Sequence, residues 1–397
     1  MKVRHQTERK GTAVLLFVLS ALLLVCSLSI CVSAYLAGSD LISDATVRVG
    51  LSAYFEKSAR SITKEDLEQI RAVKLTDTSV SFGASEIVTG LKKNHALSVT
   101  DTESILDLDS YYHTVSLTVP LSDFTWLSCL PKIEYLSVAG RAVEEIESFA
   151  GFENLYALEI AGDQSESFDL TELLDLPNLQ VLTASDCAIS DVSPLSEKEA
   201  LIRLGLSGNE IADLSPLASL SALRVLALEN NEVADVTALQ NLTSLEYLDL
   251  SGNRVSDVSA LSGLTELRQL SLSNESDEIE GNAVSDLSVL TGFEQLEFFY
   301  ANYNPIESLA PLASLRRLCA VSLDGCGLES VEGLETVKKL SYLSLKNNRL
   351  TDVSPLCEAE KLSYLFLEGN EKLKVTDALK ELSERVQIDV LAKTEKE

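Results

Sequence analysis

Histidine is scarce, with three in 397 residues. His5 lies in the N-terminal tail, and His95 and His113 have no cysteine or carboxylate at the spacing a metal requires. The chain also lacks a G-x-S-x-G elbow, an H-E-x-x-H helix and a phosphate-binding glycine loop. Catalysis has no residues to rest on, so the chain is not expected to be an enzyme, and no cofactor or metal is expected. Basic side chains are few as well: 32 Lys and Arg stand against 61 Asp and Glu, a net charge of −29. Such a surface repels nucleic acid and anionic lipid headgroups; its first expected role is to keep a large protein soluble, and it can also favour basic partners or loosely held cations.

Cysteine is sparse and badly spaced for cross-links. Cys26 and Cys31 lack the preceding small residue of a lipoprotein cleavage box, so lipidation is not expected. Cys129, Cys187, Cys319, Cys326 and Cys357 remain. In the repeat laid out below, Cys187 and Cys326 stand six lines apart, about 29 Å at ~4.8 Å per strand, far outside disulfide reach.

Long apolar runs are missing except for one. MKVRHQTERK carries Lys2, Arg4, Arg9 and Lys10 against Glu8, and residues 12–37 then contain no charged side chain. That run is long enough to cross a hydrocarbon core as a helix, and its basic flank belongs on the cytoplasmic side. A cleaved signal peptide is the competing reading, because Val32-Ser33-Ala34 resembles a small-residue cleavage site; the protein would then be secreted. The expected organisation is a basic tail over 1–11, a transmembrane signal-anchor over 12–37, a juxtamembrane linker over 38–60, an N-terminal cap with degenerate repeats over 61–132, repeats over 133–370, and a C-terminal cap and tail over 371–397. Beyond residue 37 the balance is 28 basic to 60 acidic, a net of −32.

What fills the chain is a repeat. Lines of the form L-x-x-L-x-L-x-x-N begin at Ile133, Leu155, Leu179, Leu201, Leu223, Leu245, Leu267, Leu296, Leu318, Leu340 and Leu362. Most steps are 22 residues, with 24 after Leu155 and 29 after Leu267. A period in this range marks a solenoid. The apolar fourth and sixth places alternate as a strand does. The ninth place holds Asn209, Asn231, Asn253, Asn304, Asn348 and Asn370, with Asn282 joining once the insertion is removed and Cys187 and Cys326 substituting. An amide there can satisfy backbone groups of the neighbouring turn that would otherwise be buried unpaired. In Ser193-Pro194, Ser215-Pro216 and Ser354-Pro355, Ser is placed to cap a short helical turn and Pro to begin it. The thirteenth place repeats Asp191, Asp213, Asp235, Asp257, Asp286 and Asp352, with Ser308 and Ser330 elsewhere. Capping of each convex turn is the expected role of this column, with a calcium ladder as the weaker alternative.

These residues resemble the 22-residue class of leucine-rich repeat, shared by bacterial internalins and eukaryotic phosphatase-regulating repeat proteins. The resemblance covers roughly residues 61–390. It implies an α/β repeat solenoid: a horseshoe with a concave parallel β-sheet and short convex helical turns; the apolar run over 12–37 places one transmembrane helix ahead of it. Stacking supplies the reason, since one repeat cannot bury its own leucines. Upstream, Ile70, Val73 and Leu75 fit one degenerate line and Tyr112, Val115 and Leu117 another. Thr63 and Asp66 have capping-box spacing ahead of the first line, and residues 376–391 read as a helix and closing strand. Animal extracellular relatives usually clamp their caps with disulfides, so the resemblance favours a bacterial surface protein. The sequence closes on LAKTEKE rather than on the wall-sorting signal of internalins, so a shorter, anchored relative is expected and a host-invasion role is not.

With the fourth and sixth places inward, the third, fifth and seventh face the concave side. They are small or acidic in the middle of the chain and turn aromatic toward its C-terminus at Tyr247, Phe298, Tyr300, Tyr342, Tyr364 and Phe366. Ala320 and Ser322 fall between Phe298 and Tyr342, so a shallow trough with aromatic walls is expected. Exposed aromatics are common anchors for a protein partner, although lateral packing along the sheet also explains them. The insertion at 273–282 brings Glu275, Asp277, Glu278 and Glu280 to the rim as possible contacts. The expected function is recognition of a protein, or another surface polymer, by a membrane-anchored extracellular scaffold. The rivals are an intracellular phosphatase-regulating subunit and a structural envelope or adhesion component.

Overall fold

Leucines at fixed places of each line become the interior of a stack. The computed structural model describes residues 45–76, 79–84, 113–116, 125–139, 152–165, 167–276 and 280–389. In the rung that begins at Leu201, the side chains of Leu201, Leu204, Leu206, Ile211, Leu214, Leu217 and Leu220 are all at most 2% exposed. Each large aliphatic side chain so buried contributes about 1.5–3 kcal/mol. One continuous core runs from Val47 to Ile388, as expected when rungs share their apolar edges.

The strands form a single 15-stranded sheet. After β1 (Ala72–Thr76), β2 (Ser79–Gly83) and β3 (His113–Ser116) come β4 (Tyr135–Ala139), β5 (Ala157–Ala161) and β6 (Val181–Ser185). Three-residue strands follow: β7 (Arg203–Gly205), β8 (Val225–Ala227), β9 (Tyr247–Asp249), β10 (Gln269–Ser271), β11 (Phe298–Tyr300), β12 (Ala320–Ser322), β13 (Tyr342–Ser344) and β14 (Tyr364–Phe366), then β15 (Gln387–Ile388). β4 to β15 pair in parallel in chain order, with third place opposite third place throughout, as in Phe298 opposite Ala320 and Ala320 opposite Tyr342.

The asparagine column does what its spacing implies. Asn253 Nδ2 donates to the carbonyls of Leu228, Leu250 and Ser251 at 2.8, 3.0 and 3.1 Å, and its Oδ1 accepts from Val233 N at 3.0 Å. Asn282 takes the same slot beyond the insertion, bonding Leu250 O, Leu272 O and Val255 N. Cysteine is the poorer occupant: Cys326 Sγ donates to Ala301 O at 3.2 Å, and Ile306 N turns to Asn304 O in its own rung instead. Burial pushes the Cys187 and Cys326 thiols up to about 11 and about 12, so both are inert fillers. All five cysteines among the described residues are free thiols.

The convex turns correct one expectation. They are 3₁₀ turns such as Ser193–Leu195, and the residue before each Ser-Pro makes no side-chain cap. The cap is the aspartate two residues upstream of the serine. Asp191 Oδ1 accepts from Ser193 N at 2.8 Å and its Oδ2 from Ser193 Oγ at 3.0 Å. Asp213, Asp286 and Asp352 repeat both bonds; Asp235 and Asp257 repeat the first. Backbone N–H groups of Thr237 and Ser259 hold Asp235 and Asp257 below the ordinary carboxylate value. Ser308 and Ser330 accept the equivalent N–H with a hydroxyl.

The caps match in part. Thr63 and Asp66 form the capping box, at 3.3 and 2.9 Å, ahead of the turn Lys64–Leu67, and β1 lies parallel to β4 as a first rung. Two features differ. Residues 38–60, expected as a linker, contain a helix, α1 (Ala45–Tyr54), that buries Val47 and Leu51. The stretch expected as a second degenerate rung, with Val115, instead forms β3, antiparallel to β2 at the outer edge. β2 turns straight back on β1 with Ser79 opposite Thr76, so the sheet begins with antiparallel strands. At the other end the helix Asp377–Ser383 is capped by Thr376, and β15 closes the sheet against β14. Among the described residues no helix is long and apolar enough to cross a membrane; the span expected over 12–37 lies outside them.

Candidate functional site

The concave face is the output of the strand register. Because the third places align, Phe298, Ala320 and Tyr342 form one row across β11 to β13, and Tyr300, Ser322 and Ser344 the next. The small side chains of β12 leave a trough. A cavity of about 600 Å³ is lined there by Phe298, Tyr300, Asn302, Ala320, Ser322 and Tyr342, with Ser271, Ser341 and Cys319 at its borders. Aromatic walls on a hydroxyl-bearing floor suit an apolar or aromatic side chain whose backbone can still find polar partners.

The wall toward the C-terminus is braced. Tyr342 is 37% exposed, and its ring meets Phe366 with centroids 5.3 Å apart and planes at 43°. Lys346 Nζ lies over the Phe366 ring, 4.9 Å from its centroid, a cation–π contact that helps hold that ring. Tyr364 is paired to Tyr342 in the ladder and is 47% exposed, so it extends the apolar surface outward. Tyr300 is half-buried, and burial pushes its phenol above the ordinary value.

Tyr247 stands apart from this group. Gln269 of β10 separates it from Phe298, and its phenol donates to Asp249 Oδ2 at 3.2 Å. Burial, then Asp249, holds that phenol far above its ordinary ionisation. Of the rim residues, Glu275 and Glu280 are exposed, while Asp277 and Glu278 lie outside the described residues. The loop is clipped by Asn274, whose Nδ2 donates to Asn282 O and Tyr303 O at 2.8 and 2.9 Å and whose Oδ1 accepts from Asn282 N. Glu275 belongs to an acidic rim: burial, then Asp249, Glu275 and Asp186, raises the carboxyl of Glu229. Among the described residues no cluster of three or more His, Cys, Asp or Glu is placed to hold a metal.

Two features escaped the reading of the sequence. A charge ladder runs along the second places, where Glu246 takes Arg224 at 2.5 Å and Arg268 at 3.4 Å, and Arg268 reaches on to Glu297 at 3.4 Å. Its signal was present as alternating sign in one column. The trough floor also continues as a polar rim: Ser322 Oγ donates to Asn302 Oδ1 at 2.7 Å, and Ser344 Oγ to Asp324 Oδ1 at 2.6 Å. Those bonds fix the loop edge beside the cavity.

Comparison with known proteins gives a consistent picture. A family model described as a leucine-rich repeat region matches residues 132–387. No curated protein matches the sequence. Among solved structures, the internalin InlF of Listeria monocytogenes is 22% identical, with 88% of this chain and 96% of that one covered at a TM-score of 0.63. Internalin C2 of the same organism is 29% identical over 50% of this chain and 83% of its own, at a TM-score of 0.45. The functional domain of InlJ, also from Listeria monocytogenes, is 16% identical over 83% and 74%, at 0.47.

Proposed function

This chain belongs to the leucine-rich repeat family, internalin-like in fold, and on that premise we propose that its concave face recognises a protein partner at a cell surface. The observation that carries the proposal is the trough at β11 to β13. Phe298, Tyr300 and Tyr342 are held half-exposed around a cavity of about 600 Å³, on strands whose other faces are locked in the core. Rigid, partly exposed aromatics are what partner hot spots are made of. The net charge of −29 favours a partner with a basic surface and predicts association that slows as salt rises. No side chains for catalysis accompany the trough, so the role proposed is binding.

The apolar run over 12–37, with its basic flank, supplies the tether in this proposal: cytoplasmic N-terminus, single membrane pass, repeats outside. The test is protease treatment of intact cells, followed by membrane fractionation and N-terminal sequencing of the undigested protein. The expected outcome is digestion of the repeats from outside and an undigested chain in the membrane fraction that begins near Met1. A secreted chain beginning after Ala34 would replace the anchor by a signal peptide. Protection of the repeats until the cells are lysed would overturn the surface role.

A further inference from the structure

Arg203 is the anomaly of the concave face. It occupies the third place of β7 between Val181 and Val225 in the ladder, so its stem lies on an apolar row. Arg71, Arg224, Arg254 and Arg268 each hold a glutamate at 2.8, 2.5, 3.3 and 3.4 Å. Among the described residues Arg203 has no such partner, and its Nε is buried with no hydrogen-bond acceptor. Glu159, the carboxylate that acts on Arg203, and Asp249, which acts on its neighbour Tyr247, are engaged elsewhere. Glu159 accepts from the Tyr135 hydroxyl at 2.5 Å, and Asp249 accepts from Tyr247 Oη and Ser251 N at 3.2 and 2.9 Å.

A guanidinium is a planar fork that stays charged and matches a carboxylate with two parallel bonds. Leaving one half-buried and unpaired is costly unless something else completes it. The ground beside it is low at the fifth places, filled by Thr183, Gly205 and Ala227, while the seventh places hold Ser185, Ser207 and the longer Glu229. An extended chain can therefore approach along the fifth places of β6 to β8 without meeting a large side chain. Burial also opposes the charge of Arg203, with Tyr247 and Glu159 favouring it, which leaves a site that gains from an arriving anion.

We propose that Arg203 binds a carboxylate carried by the partner chain, either its C-terminus or an Asp or Glu side chain. The inference rests on the trough as the site for an aromatic or apolar residue of the same partner. β7 and β11 are four strands apart, about 19 Å at ~4.8 Å per strand, a distance that an extended chain spans in about six residues. The acidic surface disfavours a polyanion, so a single carboxylate on a neutral or basic segment is the matching chemistry.

The experiment uses two pools of heptapeptides that start with acetylated Phe, Tyr or Trp followed by six random residues. One pool ends in a free carboxylate; the other is isotope-labelled and amidated. Both are incubated together with the full-length protein in detergent micelles, and retained peptides are read by mass spectrometry. The wild type is expected to retain acids over amides by about tenfold, the scale of one hydrogen-bonded charge pair. Arg203→Gln, checked for an unchanged melting temperature, brings the ratio close to one; Arg203→Lys keeps part of it. Enrichment of Asp or Glu at one position of the amidated pool, lost in Arg203→Gln, assigns the carboxylate to a side chain. A ratio near one in the wild type with no Asp or Glu enrichment in the amidated pool, or a preference unchanged in Arg203→Gln, overturns the inference. The double variant Tyr300→Ala, Tyr342→Ala separates the two ideas. If the wild type retains both pools equally, with no Asp or Glu enriched at any position, and the double variant loses both, Arg203 is wrong and the trough stands. If the ratio persists while the double variant retains as much as the wild type, the trough is wrong and Arg203 stands.

Discussion

Asn253→Ala lowers the unfolding free energy by about 2–4 kcal/mol, because alanine leaves the buried N–H of Val233 without an acceptor, takes one of two donors from each of three carbonyls and opens a small void between rungs. The carbonyls of Leu228, Leu250 and Ser251 and the N–H of Val233 all bond this amide, and Asn253 is 1% exposed. Water cannot replace it without opening the stack between two rungs. Urea unfolding followed by circular dichroism measures the loss, and in a solenoid it can also appear as separate unfolding of the rungs on either side. Asn304→Cys is the informative comparison, since the chain itself uses cysteine at 187 and 326. It is expected to cost less than the alanine change, because the thiol can still donate one long bond as Cys326 does. An alanine variant as stable as the wild type would remove the asparagine column from the account of what holds the rungs together.

Tyr300→Ala, Tyr342→Ala and Phe366→Ala together lower partner affinity by a factor of 100 or more, on the order of 3 kcal/mol or beyond. Stability responds far less. Tyr342 is already exposed, and Tyr300 and Phe366 are half-buried on the concave side, so the loss is mainly lateral contact such as the 5.3 Å pair between Tyr342 and Phe366. Cross-strand pairs of that kind contribute about 0.2–1 kcal/mol each. The contrast between a large binding loss and a small stability loss is the measurement, made by quantitative capture of the partner alongside a thermal melt. If capture is unchanged, the aromatics serve the sheet alone. If the melt collapses, they are part of the core and the binding result cannot be assigned to them.

Much of this was legible because the repeat writes inward and outward places in separate columns. Leu248 and Leu250 announce the core by alternation, Asn253 announces the turn, and Ala320 between Phe298 and Tyr342 announces the trough. The register carries each forward, since strands one period apart align place for place. What failed had no period behind it. Val115 has the right residue type for a rung, but antiparallel pairing through β2 decided its place, and alternation cannot distinguish parallel from antiparallel neighbours. The helix Ala45–Tyr54 hid in a stretch expected as a linker because its apolar face is brief. Tyr247 matched the aromatic column by type, but Gln269 isolates it and Asp249 takes its phenol. The unpaired state of Arg203 is a fact about neighbours in two directions at once. Only the structure shows that Glu159 is held by Tyr135.

The proposed partner contact lies on the concave face at β11 to β13. Its most direct test is a photocrosslinking residue placed at Tyr342, on the concave side, and in a second protein at Ser262, an exposed residue of a convex turn, each irradiated in intact cells. A discrete adduct is expected from position 342 that disappears when Tyr300→Ala is added, and none from position 262. An adduct from the convex position with none from the concave one would contradict that placement.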